Sequence, residues 1–223
     1  MDAFGFFRQD WIPWRVQPLN MDRHRRPFLI TGDLTTVDSD EQVIKDCLLA
    51  RTEQSSNDAP WRELTNRHFS TVHGLAFKMT GDRHSADDIT QEVFLKVFRS
   101  LHQFKSDSKF STWLYRIAMN TIFSHLKSKQ RLHLPAGENS DLVPSSDVSA
   151  EETLLRSELN AEITKQMQTM KPEYRAAIVL TSFQGLTPGE AAEAVGCSSD
   201  TFYWRLNQAR NQLRERLGEW LKK

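Results

Sequence analysis

The chain has 223 residues, 39% of them hydrophobic, with 29 Lys plus Arg balanced by 29 Asp plus Glu. That apolar content suits two small cores, and no apolar run approaches the length of a membrane span, which excludes membrane insertion. A formal net charge of zero argues against a protein that must hold nucleic acid unaided, because phosphate neutralisation dominates such binding.

The start, Met1-Asp-Ala-Phe-Gly-Phe-Phe-Arg8, lacks a basic region followed by a long apolar one, so the chain is expected to stay in the cytoplasm. Residues 1–38 carry Phe4, Phe6, Phe7, Trp11, Trp14 and Phe28 among Arg15, Arg23, Arg25 and Arg26, with Pro13, Pro18 and Pro27 breaking any regular helix. No domain is expected there. Three readings stay open: a disordered arm, an upstream start with synthesis beginning at Met21, or an aromatic-basic arm that docks on a partner. Helical patterning begins at Ser39, where Ser39 and Gln42 offer a cap ahead of Val43, Ile44, Leu48 and Leu49. Cys47 on this helix and Cys197 far along the chain are isolated from other metal-type ligands, and both read as buried thiols.

A second helix is expected over Pro60–Thr80, closed by Gly81, with Leu64, Phe69, Val72, Leu75, Ala76 and Met79 inward. Ser85 followed by Asp88 marks the next helix start. That helix presents Ile89, Val93, Val97 and Leu101 on one side with Phe94 and Phe98 alongside, and Asp88, Gln91, Glu92 and Leu95 elsewhere around it. Taken alone, its acidic first turn reads as a solvated complement to the helix macrodipole. A short polar loop, Lys105-Ser-Asp-Ser-Lys109, precedes the most informative segment, Lys109-Phe-Ser-Thr-Trp-Leu-Tyr-Arg-Ile-Ala-Met-Asn120. At helical pitch Arg116, Asn120, Phe123 and Lys127 share one face, while Phe110, Leu114, Ile117, Ala118 and Thr121 fall on another; Trp113 is expected in the core. An amide that reads base edges, cations that hold phosphates and an aromatic that stacks on an unpaired base suit single-stranded nucleic acid.

Charge is unevenly spread. Lys96, Arg99, Lys105, Lys109, Arg116, Lys127, Lys129 and Arg131 crowd one region, whereas Glu138, Asp141, Asp147, Glu151, Glu152, Glu158 and Glu162 make the following stretch acidic. Residues 132–149, with Pro135, Gly137 and Pro144, read as a linker. Helices are then expected around Glu151–Met170 and Pro172–Phe183. Next, Thr187 caps, Pro188 takes the first helical position, Glu190 completes a capping box and Gly196 ends a short helix before Ser198 and Ser199 start another. That is helix-turn-helix spacing. Phe202, Leu206, Ala209 and Leu213 form the buried stripe of the last helix, with Trp204, Asn207, Gln208 and Asn211 opposite and Tyr203 and Arg205 flanking. Trp204 has two readings: a groove contact, or packing on its own module.

Segment 109–120 resembles the DNA-melting helix of bacterial RNA polymerase sigma factors, specifically the extracytoplasmic-function group. Four further segments agree in order. Asp87-Asp-Ile-Thr-Gln-Glu-Val-Phe-Leu-Lys-Val-Phe98 resembles the polymerase-binding helix of that family, and Thr187 through Ser198 with Thr201 through Arg214 resembles its helix-turn-helix; Ser39–Arg51 resembles the opening helix. The resemblance covers roughly residues 39–220. It implies an all-α fold of two small helical domains joined by a flexible linker: region 2 over 39–131, an acidic linker over 132–150 and region 4 over 151–223, after an N-terminal extension at 1–38.

It further implies polymerase binding by Asp88, Gln91, Glu92 and Leu95. Minus-ten DNA falls to Lys105, Ser108, Lys109, Arg116, Asn120, Phe123 and Lys127. Minus-thirty-five DNA falls to Thr187, Ser199, Thr201, Tyr203, Trp204, Arg205, Asn207, Gln208 and Asn211. Core RNA polymerase, promoter DNA and an anti-sigma factor are the expected partners. The chain departs from the family at Leu114, where housekeeping members carry a second Trp, which implies weaker intrinsic melting. Tyr203, Trp204 and Gln208 also depart, and an amide at Gln208 in place of Arg favours adenine over guanine. A helix-turn-helix regulator acting on duplex DNA without polymerase is the alternative, but it leaves residues 85–131 without a role. No enzyme, metal or cofactor is expected: His68, His73 and His84 lack ligand spacing with a clear third partner, and no Gly-rich phosphate loop is visible.

Overall fold

Helix capping, read residue by residue, sets the element order in the computed structural model, which describes residues 37–52, 58–105, 108–131 and 162–220. Its helices are α1 (Val37–Thr52), α2 (Ala59–Thr80), α3 (Arg83–Ser100), continued by a 3-10 turn at Leu101–Gln103, and α4 (Phe110–Arg131). After these come α5 (162–168), α6 (Pro172–Ile178), which runs on as a π-helical turn at Val179–Phe183, then α7 (Pro188–Val195) and α8 (Ser199–Trp220). Among the described residues there is no strand. The N-terminal arm, the linker 132–150 and the expected helix start at Glu151 lie outside the described residues.

Two helix starts differ from expectation. α1 begins at Val37, so Ser39 lies within it, and Gln42 donates to Asp46 rather than back toward a cap. Asp40 turns inward instead, bonded to His68 Nε2 at 3.0 Å and to Arg67 at 3.4 Å. Burial pulls the Asp40 carboxyl upward, but His68 and Arg67 outweigh it and hold it below the usual carboxylate value. The N-cap of α3 is Asp82, not Ser85: the Asp82 carboxylate accepts from the Ser85 backbone N–H and hydroxyl, and Lys129 of α4 lies 3.6 Å away. Two good cap formers stand three residues apart, and the acid takes the cap, held mainly by its bonds to Ser85 with the α4 cation beside it. Asp88 is thereby left exposed and outside the cap. α2 closes as expected, with Gly81 left-handed at φ 69° and its N–H donating to Phe77 O.

The core of α1–α4 joins Ile44, Leu64, Val72, Leu75, Met79, Ile89, Val93, Phe94, Val97, Leu101, Phe110 and Leu114. Phe104, Phe110 and Trp113 form an aromatic cluster at one end, their centroids 5.5–5.7 Å apart, which leaves Trp113 half-buried rather than fully enclosed. α4 has a second buried stripe, Tyr115, Met119 and Ile122, at i, i+4 and i+7. This stripe lies about 100° around the helix from the expected one. The reason is tertiary: α7, with its small buried residues Ala191, Ala192 and Ala194, packs on α4, and the C-terminal helices also rest on the end of α2. Described residues from Val37 onward therefore share one compact unit.

Candidate functional site

On α3, Asp88, Gln91, Glu92 and Leu95 are all exposed, the first three polar and Leu95 still 39% accessible. They line the side of the helix opposite its buried Ile89, Val93 and Val97. Glu92 pairs with Lys96 at 2.7 Å, one helical turn on. The sequence-expected quartet is thus a contiguous acidic and apolar strip.

On α4, Arg116, Asn120 and Lys127 are exposed and Phe123 is half-buried, in agreement with the single face expected of them. An open groove of about 440 Å³ runs beside Asn120, lined by Lys96, Arg99, Ser100, Ile117 and Thr121. Lys96 Nζ donates to Thr121 Oγ1 at 3.0 Å. Lys96 and Arg99 therefore wall the cleft next to the amide, although the expected DNA-binding set omits them. Their place in the basic run was the signal that could have found them. In the preceding loop Lys105 is exposed and Ser108 half-buried. Lys109 reaches across to Glu190 of α7 at 3.2 Å.

The helix-turn-helix is built by local chemistry. The Thr187 hydroxyl accepts from Glu190 N, and the Glu190 carboxylate accepts from Thr187 N at 3.0 Å, closing a capping box. The Thr187 backbone and hydroxyl bonds, with Lys109 adding to them against burial, hold the Glu190 carboxyl below its ordinary range. Gly196 at φ 69° ends α7, and Cys197 N–H bonds back to Ala192 O. Ser198 then caps α8 by accepting from Thr201 N at 3.2 Å. Hence the hydroxyls of Thr187 and Thr201 already serve helix ends.

Phe202, Leu206 and Ala209 are buried and Leu213 half-buried, as the periodicity required. Ser199, Tyr203, Trp204, Asn207 and Asn211 are exposed, and Arg205 and Gln208 are half-buried on the same outward side. Asn211 Oδ1 accepts from Arg214 at 3.0 Å. Trp204 combines both readings: it is 56% exposed, yet its ring meets Tyr174 of α6 edge-on at 5.9 Å. One edge is anchored, and the rest of the indole faces outward.

Cys47 and Cys197 are free and half-buried; burial, with the nearby Asp46 charge, pushes the Cys47 thiol up to about 11. His68 and His73 are taken by Asp40 and Asp87. Among the described residues no cluster of three or more His, Cys, Asp or Glu side chains is placed to hold a metal ion. Nor is any described helix long and apolar enough to cross a membrane.

Two family models match this chain, sigma-70 region 2 over residues 64–132 and sigma-70 region 4 over residues 160–213. The ECF RNA polymerase sigma factor SigE of Mycolicibacterium smegmatis is 34% identical over 160 residues, covering 71% of this chain. The matched part spans 62% of that protein, less than two thirds of its length. The ECF RNA polymerase sigma-E factor of Haemophilus influenzae is 30% identical over 185 residues, 79% of this chain and 97% of that protein. Among solved structures, the sigma factor RpoE in complex with the anti-sigma factor NepR, from Bartonella quintana, shares the fold. That match has a TM-score of 0.59 and 20% identity, over 71% of this chain and 96% of the other.

Proposed function

Because the chain belongs to the extracytoplasmic-function sigma factors of RNA polymerase, we propose that it binds core polymerase and directs it to promoters that carry two separated elements. The observation that carries this reading is the joint exposure, in one chain, of the Arg116–Asn120–Lys127 face and of a capped helix-turn-helix with an outward amide surface.

The roles follow from the chemistry of each surface. The strip Asp88–Gln91–Glu92–Leu95 docks on polymerase. Arg116 and Lys127 hold backbone phosphates, Asn120 offers a donor and an acceptor to a base edge, and Phe123 stacks on an unpaired base. The loop bearing Lys105, Ser108 and Lys109 takes an extruded base, its small hydroxyls allowing close approach. α8 enters the major groove through Tyr203, Trp204, Arg205, Asn207, Gln208 and Asn211, while Thr187, Ser199 and Thr201 at the helix starts position the backbone. Residues 39–131 and 151–223 serve as the two working units and 132–150 as their tether. Holding both on one large enzyme raises the effective concentration of each at DNA, which offsets the missing net positive charge.

The protein works in the cytoplasm beside its polymerase, by binding and deformation rather than by chemistry of its own, and with no cofactor. A dedicated anti-sigma factor fits the likeness to RpoE, which was solved with NepR. A duplex-binding regulator that works without polymerase is the weaker reading, because it gives the exposed faces of α3 and α4 nothing to do.

Run-off transcription with purified core enzyme on a promoter library tests the proposal: the chain should stimulate transcription from a selected subset, and no stimulation would reject it. Within that assay, Asn120→Ala should weaken use of the minus-ten element by about tenfold to a hundredfold, the worth of one good base contact. Binding to core enzyme should be unchanged, and an equal loss in both measurements would remove Asn120 from the DNA surface.

A further inference from the structure

Resting on the sigma-factor reading, we propose that Trp204, pinned by Tyr174, reads the 5-methyl group of a thymine in the minus-thirty-five element, beside an adenine taken by Asn207 or Gln208.

The core of the C-terminal helices does not need Trp204. The inward side of α8 is already filled by Phe202, Leu206 and Ala209, each 2% exposed or less, and Trp204 stands away from that stripe with 56% of its surface open. Tyr203 beside it is 52% exposed. Two consecutive open aromatics on a helix whose buried stripe is complete mark a surface kept for a ligand.

Position selects that ligand. α8 begins at Ser199, with Ser198 Oγ accepting from Thr201 N, so Trp204 falls within its first two turns, the part of a recognition helix that meets base edges. Asn207 and Gln208 follow at i+3 and i+4, one turn along the same side. This row carries an indole and two amides and no charge, which suits base edges rather than phosphates. Amides pair with N6 and N7 of adenine, and the group of an A·T pair that an apolar side chain meets in the major groove is the thymine methyl. A G·C pair has no methyl there.

Tyr174 fixes the indole in place. It lies in the first turn of α6, which Pro172 starts, and its N–H bonds to Lys171 O at 3.0 Å. The Tyr174 and Trp204 rings meet at 5.9 Å with their planes 71° apart, so the indole is gripped at one edge. Lys171 Nζ lies 6.0 Å from the Tyr174 ring centroid and steadies that ring in turn. A side chain with only two torsions, already held, loses little entropy when it meets DNA. Tyr174 is therefore a positioning residue, acting on the thymine through Trp204.

Holoenzyme formed with the full chain, on a promoter selected in the run-off assay, tests this with deoxyuridine, which differs from thymidine by the methyl alone. Each thymine of the minus-thirty-five element, on either strand, is replaced in turn. One replacement should weaken binding about threefold to tenfold, the worth of one buried methyl group. Trp204→Ala should bind the thymine duplex more weakly and no longer distinguish it from the uracil duplex at that position. Its salt dependence should match the parent's, because no phosphate contact is lost. Tyr174→Ala should shrink the thymine preference, and Tyr174→Phe, which keeps the ring, should retain it; circular dichroism should show the helices intact in all three variants. Binding indifferent to every uracil would overturn the proposal. So would a Trp204→Ala variant that weakens both duplexes equally, which would leave the indole to a phosphate or a protein partner, and full preference in Tyr174→Ala would remove the positioning role. Holoenzyme that initiates at the selected promoter yet ignores the methyl defeats this inference alone, whereas no initiation at any promoter defeats the sigma-factor reading and this inference with it.

Discussion

Asp88→Lys combined with Glu92→Lys is expected to abolish promoter-directed run-off transcription while leaving the fold intact. Neither carboxylate holds the structure together. The cap of α3 is Asp82, already tied to Ser85 and close to Lys129, so Asp88 contributes no capping bond. Among the described residues Glu92 pairs with Lys96 alone, in an exposed i,i+4 contact, and such contacts are worth about 0.5 kcal/mol or less. At the polymerase surface the two reversals act together. They replace attraction by like-charge repulsion beside Leu95, an exposed apolar side chain suited to the centre of such a contact. A cost of about 3 kcal/mol or more, over a hundredfold in affinity, is the scale for charge reversal at a close-fitting interface. Titration of labelled core enzyme should show that loss, with an unchanged thermal midpoint for the free chain. Run-off activity equal to that of the parent would mean that α3 does not face polymerase, and the assignment of Asp88, Gln91, Glu92 and Leu95 would fall together.

What could be read from the chain follows the range of the forces involved. The helix-turn-helix was legible to the residue, because Thr187, Pro188, Glu190 and Gly196 act on backbone groups within one turn of themselves. The outward faces of α4 and α8 were legible because periodicity reports which side a helix buries. Periodicity failed where a second partner arrived. Tyr115, Met119 and Ile122 form a good stripe, but nothing nearby in sequence says that α7 will cover it. The start of α3 is ambiguous in sequence because Ser85 and Asp82 are both cap formers, and the fold uses Asp82, whose carboxylate takes both the Ser85 N–H and its hydroxyl. Trp204 suits either a groove contact or packing on its own module, and the fold uses part of each, anchoring one edge on Tyr174. Nothing in the sequence around Arg175 marks it as buried. It looks like one more basic residue shortly after a helix-starting proline, and one of its partners, Met79, stands 96 residues earlier.

Arg175→Ala should strongly destabilise the packing of the C-terminal helices. The side chain is only 5% exposed, and burial brings its guanidinium down to about 10, still charged at neutral pH. Its donors are shared among uncharged oxygens: Nε to Met167 O at 2.9 Å, Nη2 to Gln168 O at 2.7 Å and to Met170 O at 3.2 Å, and Nη1 to Met79 O and Gln168 Oε1. Met79 lies at the C-terminal end of α2 and Met167 and Gln168 at that of α5, where outward carbonyls carry partial negative charge, so the cation answers two helix ends at once. Removing it strands several buried acceptors at about 1 kcal/mol or more each, partly offset because a buried charge is also removed; the net loss should be roughly 2–4 kcal/mol. For a chain of this size that lowers the thermal midpoint by about 5–15 °C. Arg175→Met separates the causes, since it fills most of the volume but donates nothing. It should melt close to Arg175→Ala, with Arg175→Lys between them and the parent because an ammonium group lacks the planar fork that reaches all these oxygens. A methionine variant as stable as the parent would show that packing, rather than the shared carbonyls, accounts for the buried arginine.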